Sequence, residues 1–469
     1  MSSEDSHSAI ELDVSNMFRE NLQGDYGFNT DDIEEKKAAV SDAHSCIERE
    51  QPGFMKLPFE QDQVVDDIKD LRDAMIKEVD NFVVLGIGGS ALGNIAVQTA
   101  LNPPYYNENC EFRGASPRLY VPDNVDPVRF ASLLDNLNLS RTIFNVISKS
   151  GTTAETMSLY LIARDRVAQE VGEEKVQDHF IATTSSSSGY LLKIAEREGF
   201  PEFYIPEDVG GRFSVLSPVG LVSSAFCGVD IEGLLAGAAD MARRCQEEDV
   251  WNNPAYMHGL LHYLAYQQGK DISVMMPYSH QLKDVADWYR QLWAESLGKA
   301  ETREGQQINA GQTPVKALGA TDQHSQLQLY MEGPRDKVVN FIEVAEHDRD
   351  VEIPGFYDDL DGVNYLGGSS LGELLNIEKR ATEMALSQRG RLNCTIKMPE
   401  VNPHTLGQLF YMLELETALV GELLDINAFN QPGVELGKNY TYGVMGREGY
   451  EDKKEEFEQQ SRSESKYTI

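Results

Sequence analysis

The chain has 469 residues, and its 41 Lys and Arg stand against 76 Asp and Glu, a formal net charge of -35. At about 100–200 residues per domain this length predicts two or three domains, and 41% hydrophobic with 25% charged residues is a folding rather than a disordered composition. The surplus of carboxylates excludes general binding to nucleic acid or anionic lipid, because its long-range field repels polyanions.

The opening MSSEDSHSAI has no basic start followed by an apolar run, so no secretory leader is expected and a cytoplasmic location is predicted. Residues 1–55 read as an irregular or helical extension. Apolar strand candidates follow at FVVLG (82–86), RLYVP (118–122), TIFNVIS (142–148) and HFIATT (179–184), with helical patterns between or after them. That order predicts βαβ units: an α/β protein with a mostly parallel sheet flanked by helices. The uncharged stretch from Phe82 to Asn107 is interrupted by Gly86, Gly88 and Gly89, which suits a strand, loop and helix better than a membrane span.

After a helical stretch at 231–268, a second set begins with DISVMMP (271–277). A long helix from about Gln281 to Leu297, the strand KVVNFIEVA (337–345) and two further helices follow. The predicted organisation is an extension (1–55), a first α/β domain (56–250), a second (251–445) and a charged tail (446–469) prone to fraying. The five cysteines, Cys46, Cys110, Cys227, Cys245 and Cys394, are odd in number and scattered, so neither a disulfide framework nor a metal site is expected. Acidic residues are spread in short runs such as TDDIEE, EVAEHDRDVE and YEDKKEEFEQQ. We read them as a surface adapted to a salty cytoplasm, since in 1 M salt the Debye length is only about 3 Å and carboxylate repulsion is screened.

Two loops carry the first chemical signal. GIGGSALG (86–93) follows an apolar strand and opens a helix. Its glycines fit a loose dinucleotide fingerprint, yet an acidic ribose ligand about 20 residues on is not evident. Glycines and Ser90 at a helix start equally suit an anion. SKSGTTAET (148–156) repeats the placement, with hydroxyls at Ser148, Ser150, Thr152 and Thr153, a cation at Lys149, and a capping-box spacing between Thr152 and Glu155. It lacks the Walker A spacing, which disfavours nucleotide hydrolysis. Ligands of open α/β sheets bind beyond the carboxyl ends of strands, where both loops lie.

The segments GIGGSALG, SKSGTTAET, GGRFSV, WAESLGK, GATDQHSQ and FNQPGVELGK occur in this order between residues 82 and 438. Together they make the chain resemble the glucose-6-phosphate isomerase family. The resemblance implies two sugar-isomerase-type domains and interconversion of glucose 6-phosphate and fructose 6-phosphate through an enediol, with no metal or nucleotide cofactor. It places Gly89, Ser90, Ser148, Lys149, Ser150 and Thr153 around the substrate phosphate; Ser150 stands where many relatives carry Thr, and either hydroxyl can donate.

By the same resemblance Glu295 is the base that moves the proton, and a helical wheel supports it. Leu282, Val285, Tyr289, Leu292, Trp293 and Ser296 share one stripe, whereas Asp284, Trp288, Gln291 and Glu295 lie on the other side. Arg212, after two glycines, is the permanent cation assigned to the enediolate. His324 and Lys438 take ring opening, Gln291 enters the cleft on the same helix as Glu295 to bind substrate, and Gln431 contacts sugar hydroxyls or phosphate. The family further implies a homodimer with His324 donated across the interface. Activity on mannose 6-phosphate as well, or a non-catalytic sugar-phosphate-binding protein, are the alternative readings; the quartet Arg212, Glu295, His324 and Lys438 argues against mere binding.

Overall fold

The computed structural model describes residues 9–461 and 467. The first eight residues and most of those after 461 lie outside them, and with them the end of the acidic tail. β1 (Glu11–Asp13) and the helices Thr30–Glu34 and Lys37–Glu50 come first. The first α/β unit then contains β2 (Asn81–Leu85), β3 (Arg118–Tyr120), β4 (Thr142–Ile147), β5 (Phe180–Thr184) and β6 (Glu202–Tyr204). The second has β7 (Ile272–Pro277), an antiparallel pair β8 (Lys299–Glu301) and β9 (Gln307–Ala310), then β10 (Thr313–Lys316), β11 (Lys337–Val344) and β12 (Asn393–Met398). The sheets run β3-β2-β4-β5-β6, all parallel, and β1-β12-β11-β7-β10, parallel except at β1. The mostly parallel α/β class expected from the sequence is present.

Several helices begin at an Asx or Ser residue followed by proline. Asp126, Ser217, Asn253 and Asn402 each accept a backbone N–H of the first turn, with Pro127, Pro218, Pro254 and Pro403 as the first helical residue. The side chain satisfies an orphan amide and proline supplies a helical φ where no N–H is needed. The last of these helices, Pro403–Leu423, is buried from Thr405 to Gly421 and packs on the helices Ile231–Arg244 and Pro254–Gln267. An apolar face on every side marks a helix inside the molecule, and one continuous core runs from the N-terminal segment through both sheets to this helix.

Three expectations change. The N-terminal segment is no separate appendage, because Leu12 pairs with Ile396 and makes β1 the antiparallel edge of the second sheet. Trp288 is not on a polar face: it is buried with its ring 4.7 Å from that of Phe410, because its helix packs against Pro403–Leu423 as well as the sheet. Part of the charged tail forms the helix Glu451–Ser461, where Glu456 accepts a hydrogen bond from the Tyr440 hydroxyl. Among the described residues no helix is long and apolar enough to cross a membrane.

Candidate active site

In the first sheet the chain passes from β2 to β3 on one side and then returns to β4 on the other. Such a reversal opens a crevice at the carboxyl ends of the two neighbouring strands. GIGGSALG follows β2 and SKSGTTAET follows β4, so both loops meet there. The order is the flavodoxin-like 2-1-3-4-5 and not the 3-2-1-4-5-6 of dinucleotide-binding folds, which weakens the NAD reading.

Gly89 is required by contact: a Cβ there would lie 2.2 Å from the Gly211 carbonyl carbon. This close approach brings the short helix Gly88–Ser90 against the turn Gly211–Phe213 that carries Arg212. At Gly88 a Cβ would lie 3.0 Å from Gln291 Nε2, so the loop of the first unit touches the helix Lys283–Leu297 of the second. Gln291 Nε2 in turn donates to Glu295 Oε2 over 2.9 Å, and the Gln291 Oε1 is buried without a partner among the described residues. Gly89, Ser90, Ser150, Thr153, Arg212, Gln291, Glu295, Gln431 and Lys438 thus line one cleft of about 770 Å³.

The loop SKSGTTAET differs in detail from its sequence reading. Thr153, not Thr152, is the N-cap of the helix Ala154–Val171, and neither it nor a capping box consumes the first-turn amides. Thr152 Oγ1 instead bonds Ser150 Oγ at 2.8 Å, which leaves the helix start open to an anion. Ser148 is buried beneath the loop, where its Oγ accepts the Gly151 amide and bonds Thr153 Oγ1 at 3.1 Å. Lys149 turns away from the cleft, because the carbonyls of Pro206, Glu207 and Val209 converge on its Nζ. It ties down the segment leading into Gly210 and Gly211 and is not a cleft-lining cation.

Arg212 is almost fully buried. Its Nε donates to Ser296 Oγ (2.7 Å), Nη1 to Gln431 Oε1 (3.0 Å) and Nη2 to the carbonyls of Ala428 and Asn430. Nη1 lies 3.8 Å from Glu295 Oε2. Burial pulls the guanidinium below its usual range and the Glu295 carboxylate pulls it back. Lys438 lies in the helix Glu435–Val444, half-exposed and paired with Glu435 at 2.9 Å. His324 is exposed at the end of Thr321–His324 and does not reach the cleft of its own chain.

One residue was missed. Lys299, buried just past the helix Lys283–Leu297, donates its Nζ to the carbonyls of Glu295 (2.8 Å) and Ser296 (2.7 Å). It caps the carboxyl end of the helix that holds Glu295 and the Arg212 partner Ser296. Burial, and then Arg212, push its ammonium down to about 8 while Glu295 opposes them. The signal was present in WAESLGK, a lysine one turn beyond the glutamate.

Residues 63–463 match the model described as phosphoglucose isomerase. The chain belongs to the phosphoglucose isomerase family. It is 47% identical over 451 residues to a glucose-6-phosphate isomerase of Carboxydothermus hydrogenoformans, covering 96% of this chain and 97% of that protein. A glucose-6-phosphate isomerase of Rubrobacter xylanophilus is 43% identical, over 93% of this chain and 99% of that one. A crystal structure of a hypothetical protein from Thermus thermophilus has a TM-score of 0.82 at 35% identity, covering 93% of this chain and all of that chain. Family membership leaves the dinucleotide reading of GIGGSALG without support.

Proposed function

We propose that the chain is an enzyme that reversibly interconverts glucose 6-phosphate and fructose 6-phosphate, the step shared by glycolysis and gluconeogenesis, by proton transfer through an enediol. The observation that carries this reading is the convergence of a carboxylate, a buried arginine and an uncapped helix start in one cleft. The phosphoryl group is held by Ser90, Ser150, Thr153 and first-turn amides, donors suited to a dianion. Ser148 acts beneath the loop by fixing Thr153. Gln291 and Gln431 meet sugar hydroxyls.

With the phosphate anchored, Glu295 removes the hydrogen on C2 of the open-chain aldose and returns it to C1. Gln291 orients the carboxylate through its 2.9 Å hydrogen bond. Arg212 offers a permanent positive charge to the enediolate oxygens, where preorganised donors lower the barrier most. Lys438 serves ring opening from the helix Glu435–Val444. The exposed position of His324 supports a homodimer in which the partner subunit's His324 completes each cleft.

The test is a coupled assay of fructose 6-phosphate conversion comparing the parent with Glu295→Gln. Loss of a general base predicts kcat lower by about 10²–10⁴-fold, with binding of 6-phosphogluconate within a few fold of the parent. Undiminished turnover would overturn the assignment.

A cytoplasmic location and a salt-adapted surface belong to the same reading. With a net charge of -35, Tm should rise and KM fall as KCl is raised from low concentration, because salt screens the carboxylates that oppose both folding and a dianionic substrate. Values unchanged between dilute buffer and molar KCl would remove the salt adaptation.

A further inference from the structure

The parallel register of β7, β11 and β12 sets Lys337 opposite Ile272 and Val339 opposite Asn393. Residues just before these strands therefore gather at the amino-terminal edge of the second sheet, opposite the carboxyl ends of the strands. Lys270, Arg335, Lys337 and Arg391 arrive there, and Arg19 joins from the N-terminal segment. They line a small pocket in which Asp25 is the one carboxylate among the lining residues. In a chain with 76 acids and 41 bases, five cations against one acid is the inverse of the general surface.

Many cations elsewhere on this protein meet carboxylates, as Lys56 meets Asp208, Arg129 meets Asp123 and Lys397 meets Asp13. Here, among the described residues, only Lys337 does, pairing with Asp336. Arg335 stacks 4.3 Å from the Tyr26 ring centroid and donates to the Arg389 carbonyl. Arg19 donates to the Gly27 carbonyl. Lys270 Nζ has no hydrogen bond or ion pair among the described residues.

Arg391 gives the second, independent observation. It is only 8% exposed, and its terminal nitrogens donate to the carbonyls of Pro334, Met331 and Gly333. Its Nε is buried with no hydrogen-bond partner among the described residues. A buried guanidinium with no ion-pair partner among the described residues is costly unless another group shares the charge. Burial, and next the charge of Arg335, lower both Lys270 and Arg391 from their usual values, while Asp336 opposes. The cations repel one another across the pocket, and an anion would relieve that repulsion.

We propose that this pocket binds a small multivalent oxyanion carrying phosphoryl or carboxylate groups. Guanidinium and ammonium donors suit both chemistries, and the site lies apart from the catalytic cleft, sharing no lining residue with it. The proposal does not depend on the isomerase reading.

Calorimetric titrations with pyrophosphate and with citrate test it, at a KCl concentration where circular dichroism shows the parent folded. The parent is compared with Lys270→Gln/Arg335→Gln and with the cleft variant Ser150→Ala/Thr153→Val. Neither altered pocket residue is fully buried, and unchanged ellipticity and Tm check the fold. The expected result is one binding equivalent that survives in the cleft variant and weakens at least tenfold in the pocket variant. The arm that shows it identifies phosphoryl or carboxylate as the preferred chemistry. Binding of both probes by the pocket variant within twofold of the parent, or no equivalent surviving in the cleft variant, would overturn the proposal.

Discussion

The two α/β units meet the cleft with different chemistry. The first offers backbone amides, the hydroxyls of Ser90, Ser150 and Thr153 and the buried guanidinium of Arg212, and one of its core clusters is built from apolar residues such as Val83, Phe144 and Phe180. The polar groups buried along its strands, Asn81, Asn145 and Thr183, are neutral. The second offers Glu295 and buries charge in its interior: His258 against Glu416, and Lys379 between Glu343 and Glu383. A phosphoryl group arrives already ionised and needs only fixed donors. On the proposed reading, proton transfer at Glu295 needs a carboxylate held in place, which Gln291 and Arg212 supply.

The largest effect should come from the second unit's interior. His258 Nδ1 meets Glu416, and its Nε2 lies 3.2 Å from Asn340 Oδ1, which also reaches His262 at 2.9 Å. Burial disfavours the charged imidazole, but the Glu416 carboxylate overrides it and raises His258 well above its usual range. Burial, and then the charge on His258, push His262 down to about 3, so one ring of the pair is charged and the other neutral. Glu416→Gln leaves a charged ring without its counter-ion and should cost about 3–5 kcal/mol, the scale of a broken buried pair. Denaturant unfolding measures it at pH 6. The contribution of His258 is complete below its ordinary value of 6.5 and is lost only as pH rises through the raised native value, so the penalty should shrink in alkaline buffer. An equal penalty at both pH values would remove the charged pair from the contrast.

The first unit should respond in binding and not in turnover. Ser150→Ala/Thr153→Val deletes two hydroxyls at the helix start. Hydrogen bonds to charged groups are worth about 1.5–3 kcal/mol each, so losing two should raise KM about a hundredfold or more while kcat stays within a few fold. Steady-state kinetics at fixed salt decides it. A fall in kcat as large as the rise in KM would mean that these hydroxyls act mainly in the transition state, and the division of labour would fail.

Much of this was legible in the sequence, because the determining signals are local. Four strands of the first sheet, β7 and β11 of the second, and the loops at the ends of β2 and β4 follow from short apolar runs punctuated by glycine and hydroxyl residues, whereas β1, β6, β10 and β12 are not read as strands from the sequence. What escaped depends on partners far away in the chain. Pairing of Leu12 with Ile396 cannot be read from either segment. Trp288 looked polar-facing because one wheel assumes one buried side, and its helix has two. Lys149 sits in the phosphate motif, yet three carbonyls near position 207 outcompete the cleft for its ammonium. The wheel did place Gln291 beside Glu295, since i,i+4 neighbours are set by helix geometry alone.

Lys299 sharpens the comparison at its smallest scale, because it acts on the second unit's carboxylate without lining the cleft. Its Nζ holds the last carbonyls of the helix that carries Glu295, and its native value is lowered from 10.5 to about 8. As pH rises through 8 the ammonium gives up its proton and the charge-assisted cap weakens, so kcat should decline with a midpoint near 8. Stability should move the other way. Between pH 8 and 10.5 the unfolded chain holds the proton that the native chain has released, so this group makes unfolding harder as pH rises. Loss of activity in that window is therefore not loss of fold, and ellipticity recorded beside the assay separates the two. Lys299→Met should remove this alkaline limb, lower kcat a few fold and leave KM little changed, whereas Lys299→Arg should restore kcat and carry no limb near 8. An unaltered limb in Lys299→Met would assign it to another group and reduce Lys299 to a structural cap.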